Sequence, residues 1–148
     1  MPPVGKRQDP LPNYSFRVLI DDLPAAEFSE CSGMEMTVKF DEVREGGENG
    51  FVHKLPGRVE YGNLVLKRGY ARSGELFRWC LAPAVPDQRL RRRKVTVQLV
   101  DQVSKSTIAQ WIFDDAYPVK WSGPSLKASE NAVAIESLEL AHRGLGPG

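Results

Sequence analysis

The stretch from Met34 to Lys67 constrains this chain more than any other. It opens on an alternating run. Met34, Met36, Val38 and Phe40 point one way, and Glu35, Thr37, Lys39 and Asp41 the other. That period of two belongs to a half-buried strand. It closes on a second strand-like run, Arg58 to Lys67, and between the two lies a polar, glycine-rich segment. A minimal hairpin loop needs only about two to five residues. A loop this long on a small domain binds something or is disordered. In the second arm Val59 and Tyr61 share a face, whereas Leu64 and Leu66 fall on the opposite one. The phase change predicts a β-bulge at Gly62-Asn63.

With 148 residues the chain holds one ordinary domain. Residues 1–13 carry four prolines and little to bury, so they read as a flexible arm. A single β domain is expected over 14–145 and a tail over 146–148. Twenty basic residues against nineteen acidic leave a formal charge of +1. No global field therefore attracts nucleic acid or an anionic membrane. The cations cluster once, at Arg89, Arg91, Arg92, Arg93 and Lys94. Cys31 and Cys80 are too few for a disulfide framework or a metal site and read as reduced, partly buried thiols. The first ten residues lack the apolar core of a secretory signal, and no run reaches the ~20 apolar residues of a membrane span.

Tyr14 to Ile20 alternates and predicts a strand. Asp21 to Pro24 is a turn, and Ala25 to Cys31 a short returning strand. Ser73 is a candidate N-cap for one helix, Ser73 to Ala82, with Leu76, Trp79 and Cys80 at helical spacing. Lys94 to Val100 and Ser106 to Asp114 are strands. Asp115 to Trp121 continues extended, with Pro118 marking an edge or a bend. Residues Ala132 to His142 are ambiguous. Their Ala, Glu and Leu content favours a helix, while Val133/Ile135 and Leu138/Leu140 are two alternating pairs with a slip between them. Gly144 to Gly148 reads as a disordered tail or a cap. The sum is mainly β: an antiparallel β-barrel or sandwich with one short α-helix and an extended hairpin.

Catalytic constellations are missing. His53 lies in the glycine-rich segment with no Cys or carboxylate at ligand spacing, and it reads as an interface histidine. Asp21-Asp22 and Asp114-Asp115 are adjacent, and neighbours on a strand point to opposite faces, so neither pair converges as an acid–base dyad. Gly46 to Gly50 lacks the Lys-Ser/Thr and following helix of a phosphate loop. The run Arg89 to Lys94 has no interleaved aromatics and reads as a solvated loop or a salt-bridged subunit contact, not a specific nucleic-acid site. The expectation is a protein with no enzymatic activity, cofactor or metal.

The hairpin supplies the positive signal. Met34, Met36, Val38 and Phe40 are expected to pack on the domain body, leaving Glu35, Thr37, Lys39 and Asp41 facing water with Arg58 and Glu60 beside them. A hairpin that outreaches its domain exposes backbone edges. Pairing them with neighbouring copies in a ring would leave no free edge.

Two blocks of the sequence resemble the inner tail-tube proteins of contractile phage tails and of phage-tail-like extracellular contractile injection systems. The first runs from Phe16-Arg17-Val18 through Phe28 to Met34 and on through Arg44-Glu45-Gly46-Gly47-Glu48-Asn49-Gly50, His53-Lys54-Leu55-Pro56-Gly57 and Leu66-Lys67-Arg68-Gly69. The second holds Ala116 to Trp121, Ala128 to Asn131 and Val133 to His142.

The resemblance implies hexameric rings that stack into a tube, each subunit lending hairpin strands to a barrel around the lumen. It implies that Ala132 to His142 is a strand. It also implies that Arg44, Glu45, Gly46, Gly47, Asn49, Gly50, Phe51, His53 and Lys54 form an extended loop contacting neighbouring subunits. The partners it implies are further copies of the chain, sheath and baseplate or spike proteins, and cargo in the lumen. Assembly would occur in a bacterial cytoplasm, and the product would be a phage tail or a released particle. Two alternatives stay open. One is a single-ring tube-initiating or baseplate adaptor of the same apparatus. The other is a free β-sandwich ligand-binding module using Trp111 and Trp121 as platforms, although core packing is the commoner job of such residues.

Overall fold

The computed structural model describes residues 13–23, 27–43, 53–128 and 133–148, with the backbone alone at Val43, His53 and Lys54. The chain is mainly β. Its strands are β1 (Tyr14–Ile20), β2 (Glu30–Ser32), β3 (Met36–Val43), β4 (His53–Tyr61), β5 (Leu64–Gly69), β6 (Arg93–Asp101), β7 (Thr107–Ser122), β8 (Ile135–Ala141) and β9 (Gly144–Pro147). One helix, α1 (Glu75–Leu81), runs into a 3₁₀ turn at Ala82–Ala84.

Seven strands form the body in the order β1-β6-β7-β8-β5-β2, with β9 also on β7, and all pairings are antiparallel. Strands β3 and β4 form a separate two-stranded sheet. β7 is the spine. Its first half pairs β6, and its other edge takes β9 and then β8 in succession. Between the halves, two residues (Asp114 and Asp115) stand opposite one residue of β6, and Asp115 has φ 51°. Aspartate tolerates this left-handed conformation better than most residues, and the bulge turns the strand from one half of the body into the other. Pro118 lies past the β6 pairing, so its missing N–H interrupts no ladder there.

The core follows from the alternation. Val18 and Ile20, Val95 and Val97, Phe113 and Ala116, Leu64 and Leu66, and Leu138 and Leu140 all turn inward. α1 covers them with Leu76 and Trp79, three residues apart and both buried. Each large side chain so buried contributes roughly 1.5–3 kcal/mol.

Several expectations need correction. The helix begins at Glu75, not Ser73. Its N-cap is Gly74 at φ 61°, with no side-chain cap, because a left-handed residue at that point suits glycine. Of the returning strand expected over 25–31, residues 25–26 lie outside the described residues, and among the rest only Glu30–Ser32 forms the strand, paired with β5. Gly62-Asn63 is not a bulge but a break. Tyr61 ends a strand of the hairpin, and Leu64 begins one of the body. The hairpin's bulge lies elsewhere, where Arg58 and Gly57 stand opposite Lys39. Residues 144–147, expected as tail or cap, are the strand β9.

Residues 135–141 do form a strand, and β8 reconciles its two apolar pairs without slipping. It buries Glu136, Leu138 and Leu140 and leaves Ile135 and Val133 exposed. The irregularity falls on β7 instead, between Pro118 and Lys120. Glu136 is fully buried; its Oε1 accepts from Arg68 Nε at 2.6 Å and its Oε2 from Trp121 Nε1 at 3.0 Å. Arg68 is itself 4% exposed and lies over the Phe28 ring.

Candidate functional site

The hairpin β3–β4 stands apart from the seven-stranded body. Among the described residues it packs almost wholly on itself. Its register pairs Met36 with Tyr61, Thr37 with Glu60, and Val38 with Val59. Beyond the bulge it pairs Phe40 with Pro56 and Asp41 with Leu55. Residues directly opposite share a face, so Thr37, Lys39, Arg58 and Glu60 come together on one side. Lys39 Nζ lies 3.7 Å and Arg58 Nη2 3.8 Å from the Glu60 carboxylate. All three side chains are about half exposed or more, so these pairs order the surface and contribute little stability. Asp41 continues the same alternation, with Leu55 opposite it. Glu35 sits at the root, where its carbonyl accepts from Gly62 N at 3.3 Å.

The other face overturns an expectation. Met36, Val38, Phe40 and Val59 are 40–57% exposed and not packed on the body as the alternation implied, whereas Met34 at the root lines a cavity with Tyr14, Phe16 and Trp111 of the body. The physical reason is topological. β5 turns away at Gly62-Asn63 to pair β8, and α1 together with the body's own strands completes the core. The hairpin therefore presents a polar, ion-paired face and an apolar face, both open to solvent.

The root is fixed. His142 Nε2 donates to the Gly62 carbonyl at 3.0 Å, and its ring lies between Tyr61 and Phe113, with centroids 5.4 and 4.9 Å away. Asn63 Nδ2 donates to Glu139 at 3.3 Å. On the entering side Gly33 has φ 85°, and a Cβ there would stand 2.0 Å from the Asn63 carbonyl oxygen. Only glycine lets the two chain segments approach so closely.

Of the residues expected in the contact loop, Arg44, Glu45, Gly46, Gly47, Asn49, Gly50 and Phe51 lie outside the described residues, and His53 and Lys54 appear only as backbone of β4. The carboxylate pairs do not converge as dyads. Asp22 meets Arg91, and Asp115 meets Arg143 Nη1 at 3.4 Å. Trp111 and Trp121 are half-buried and packed against the core, the commoner job of such residues. Among the described residues no group of His, Cys, Asp and Glu could hold a metal, and no helix is long and apolar enough to cross a membrane. Burial pushes the Cys31 thiol up to about 11 and raises that of Cys80, so neither is an activated nucleophile.

Sequence reasoning missed the run at Arg89 to Lys94 as an organised element. Its aromatic partners come from elsewhere in the chain: Arg92 lies over Tyr117 and Arg93 over Trp79, at 4.7 and 5.3 Å. Arg93 Nη1 donates to the Asp21 carbonyl, and Trp79 Nε1 to the Arg91 carbonyl, both at 2.7 Å. The cluster of basic residues in the sequence was the available signal.

Comparison with known proteins places this architecture. Residues 12–146 match the family of the T4-like virus tail tube protein gp19. Among solved structures the chain is similar to a protein of the anti-feeding prophage tube-terminating cap, with 22% identity over 96% of this chain and 93% of that one and a TM-score of 0.81. It is similar to a protein of the sheath–tube complex of the PVC extracellular contractile injection system in the extended state, with 24% identity, coverage of 94% and 91% and a TM-score of 0.79. It is also similar to a protein of the anti-feeding prophage baseplate, with 26% identity, 91% of both chains covered and a TM-score of 0.73. No curated protein sequence matches the chain.

Proposed function

Since the chain belongs to the family of the T4-like virus tail tube protein gp19, we propose that it is a non-enzymatic subunit of hexameric rings that stack into the inner tube of a contractile injection apparatus. The observation that carries this reading is the projecting hairpin. A monomer rarely leaves a contiguous apolar face such as Met36, Val38, Phe40 and Val59 open to water. In a ring each such face packs on the next copy, and the strand edges pair round the circle. The opposite face (Glu35, Thr37, Lys39, Asp41, Arg58 and Glu60) then lines the lumen, where charges of both signs let cargo pass without adhering. The loop from Arg44 to Lys54 carries contacts to neighbouring copies or to the next ring. The rings form in a bacterial cytoplasm, inside a sheath and on a baseplate. Many modest contacts per ring give the stack its strength.

A second reading is a single ring at one end of the tube. The likeness to a cap protein and to a baseplate protein of the anti-feeding prophage favours it. Electron microscopy of the purified chain separates the two: stacked tubes mark a tube subunit, isolated rings a terminal adaptor. The double variant Met36→Ser/Val38→Ser should keep its circular dichroism and lose both assemblies. A wild-type chain that stays monomeric at high concentration, or a double variant that assembles normally, would refute the hairpin's role.

A further inference from the structure

Four arginines converge beside α1. Arg78 of the helix and Arg89, Arg91 and Arg93 of the following segment line one cavity of about 390 Å³, with Trp79 and Gln88 in its wall. Glu75 is the one acidic side chain of the lining. Asp22 pairs with Arg91, and Asp21 lends only its carbonyl, to Arg93. The positive charge is therefore in surplus. Burial, then Arg91, lowers the pKa of Arg93 against the opposing pull of Asp22 and Asp21.

The donors are not used up. Among the described residues the guanidinium groups of Arg78 and Arg89 have no hydrogen bond or ion pair, and Arg93 Nε is buried with no acceptor. Their backbone is held in place. Trp79 pins the Arg91 carbonyl, Asp21 N donates to the Lys94 carbonyl at 3.0 Å, and Arg93 stacks on Trp79. A guanidinium with unpaired N–H groups takes a carboxylate through two parallel hydrogen bonds.

We propose that this pocket docks an acidic segment of another protein, taking its carboxylates on Arg78, Arg89 and Arg93. The surroundings select the protein over a nucleic acid. A phosphate track continues in cations and exposes aromatic faces for bases. Here the one aromatic residue of the lining, Trp79, is 4% exposed under Arg93, and the neighbouring Tyr117 ring is covered by Arg92. Carboxylates, which need no ring face to stack on, match that pattern.

Fluorescence anisotropy of labelled hexaglutamate with the full chain tests the proposal. Binding should appear at low salt and weaken steeply between about 0.05 and 0.2 M salt. Arg78→Glu and Arg89→Glu should each weaken it by about tenfold, while Arg17→Glu and Lys120→Glu, exposed cations on β1 and β7, should change it less than about twofold. No binding at low salt, or equal losses in all four variants, would overturn the proposal. So would a thymidine oligonucleotide that binds through the same arginines more tightly than the peptide.

Discussion

Replacing Glu136 by Leu should be among the most damaging single changes in the body. The carboxylate is fully buried and serves two donors, Arg68 Nε at 2.6 Å and the Trp121 indole at 3.0 Å. Removing it strands a guanidinium that is 4% exposed and whose Nη2 already lacks a partner. Breaking one side of a buried pair costs about 3–5 kcal/mol, and an orphaned indole N–H adds part of a further 1–3 kcal/mol or so. Because the two losses share one site they do not add, and about 4 kcal/mol is expected. For a domain of this size that lowers Tm by about 8–16 °C. Arg68→Met/Glu136→Leu removes both charges and should recover to within about 2 kcal/mol of the wild type, the indole remaining unpaired. Glu136→Gln keeps one acceptor and should fall between. Urea unfolding of unassembled chain at one fixed concentration is the assay, since assembly would shift the apparent stability. A loss below about 1 kcal/mol in Glu136→Leu, or a double variant less stable than the single, would refute the reasoning.

Gly33→Ala should lose at least about 2 kcal/mol by the same assay, because its Cβ would overlap the Asn63 carbonyl at φ 85°. An unchanged urea midpoint would show that the hairpin's entry is not fixed there. Cys31, with its thiol raised from 9.0 to about 11, should alkylate at pH 8 about a hundredfold more slowly than in unfolded chain, since only the thiolate reacts. Its rate should keep rising with pH beyond pH 9, where an unfolded thiol levels off. A plateau near pH 9 in folded protein would contradict the burial that raises it.

The strands of the body were legible wherever an alternating run met the core. Val95/Val97 and Leu138/Leu140 turn inward as their spacing required. β8 was ambiguous because Glu136 occupies an inward position, and its partner Arg68 is 68 residues away. Periodicity within a window cannot see that pair. Gly62-Asn63 was visible as a change of phase, but a strand that bulges and a chain that changes sheets leave the same local mark. Thr37, Lys39, Arg58 and Glu60 of the hairpin share one face, as their alternation required. What covers the apolar face was not readable, because alternation shows that a face is apolar and says nothing of whether its partner lies in the same chain. The helix start moved because the cap is a backbone conformation at Gly74, where the sequence offered a side chain at Ser73.

The strand order has a consequence for how the chain folds. β6 and β7 are neighbours in sequence, joined through residues 102–106. Most other pairings of the body reach far along the chain: Ile20 meets Val95, and Leu64 meets Leu140. Closing such distant ladders is the slow, entropically costly part of folding a β protein. Among the described residues the strands β3 and β4 pair only with each other, so their ladder closes locally. Under the assembly proposed above, folding and assembly draw on separate residues, and the hairpin can change to suit a different neighbour while the long-range ladders of the body stay as they are.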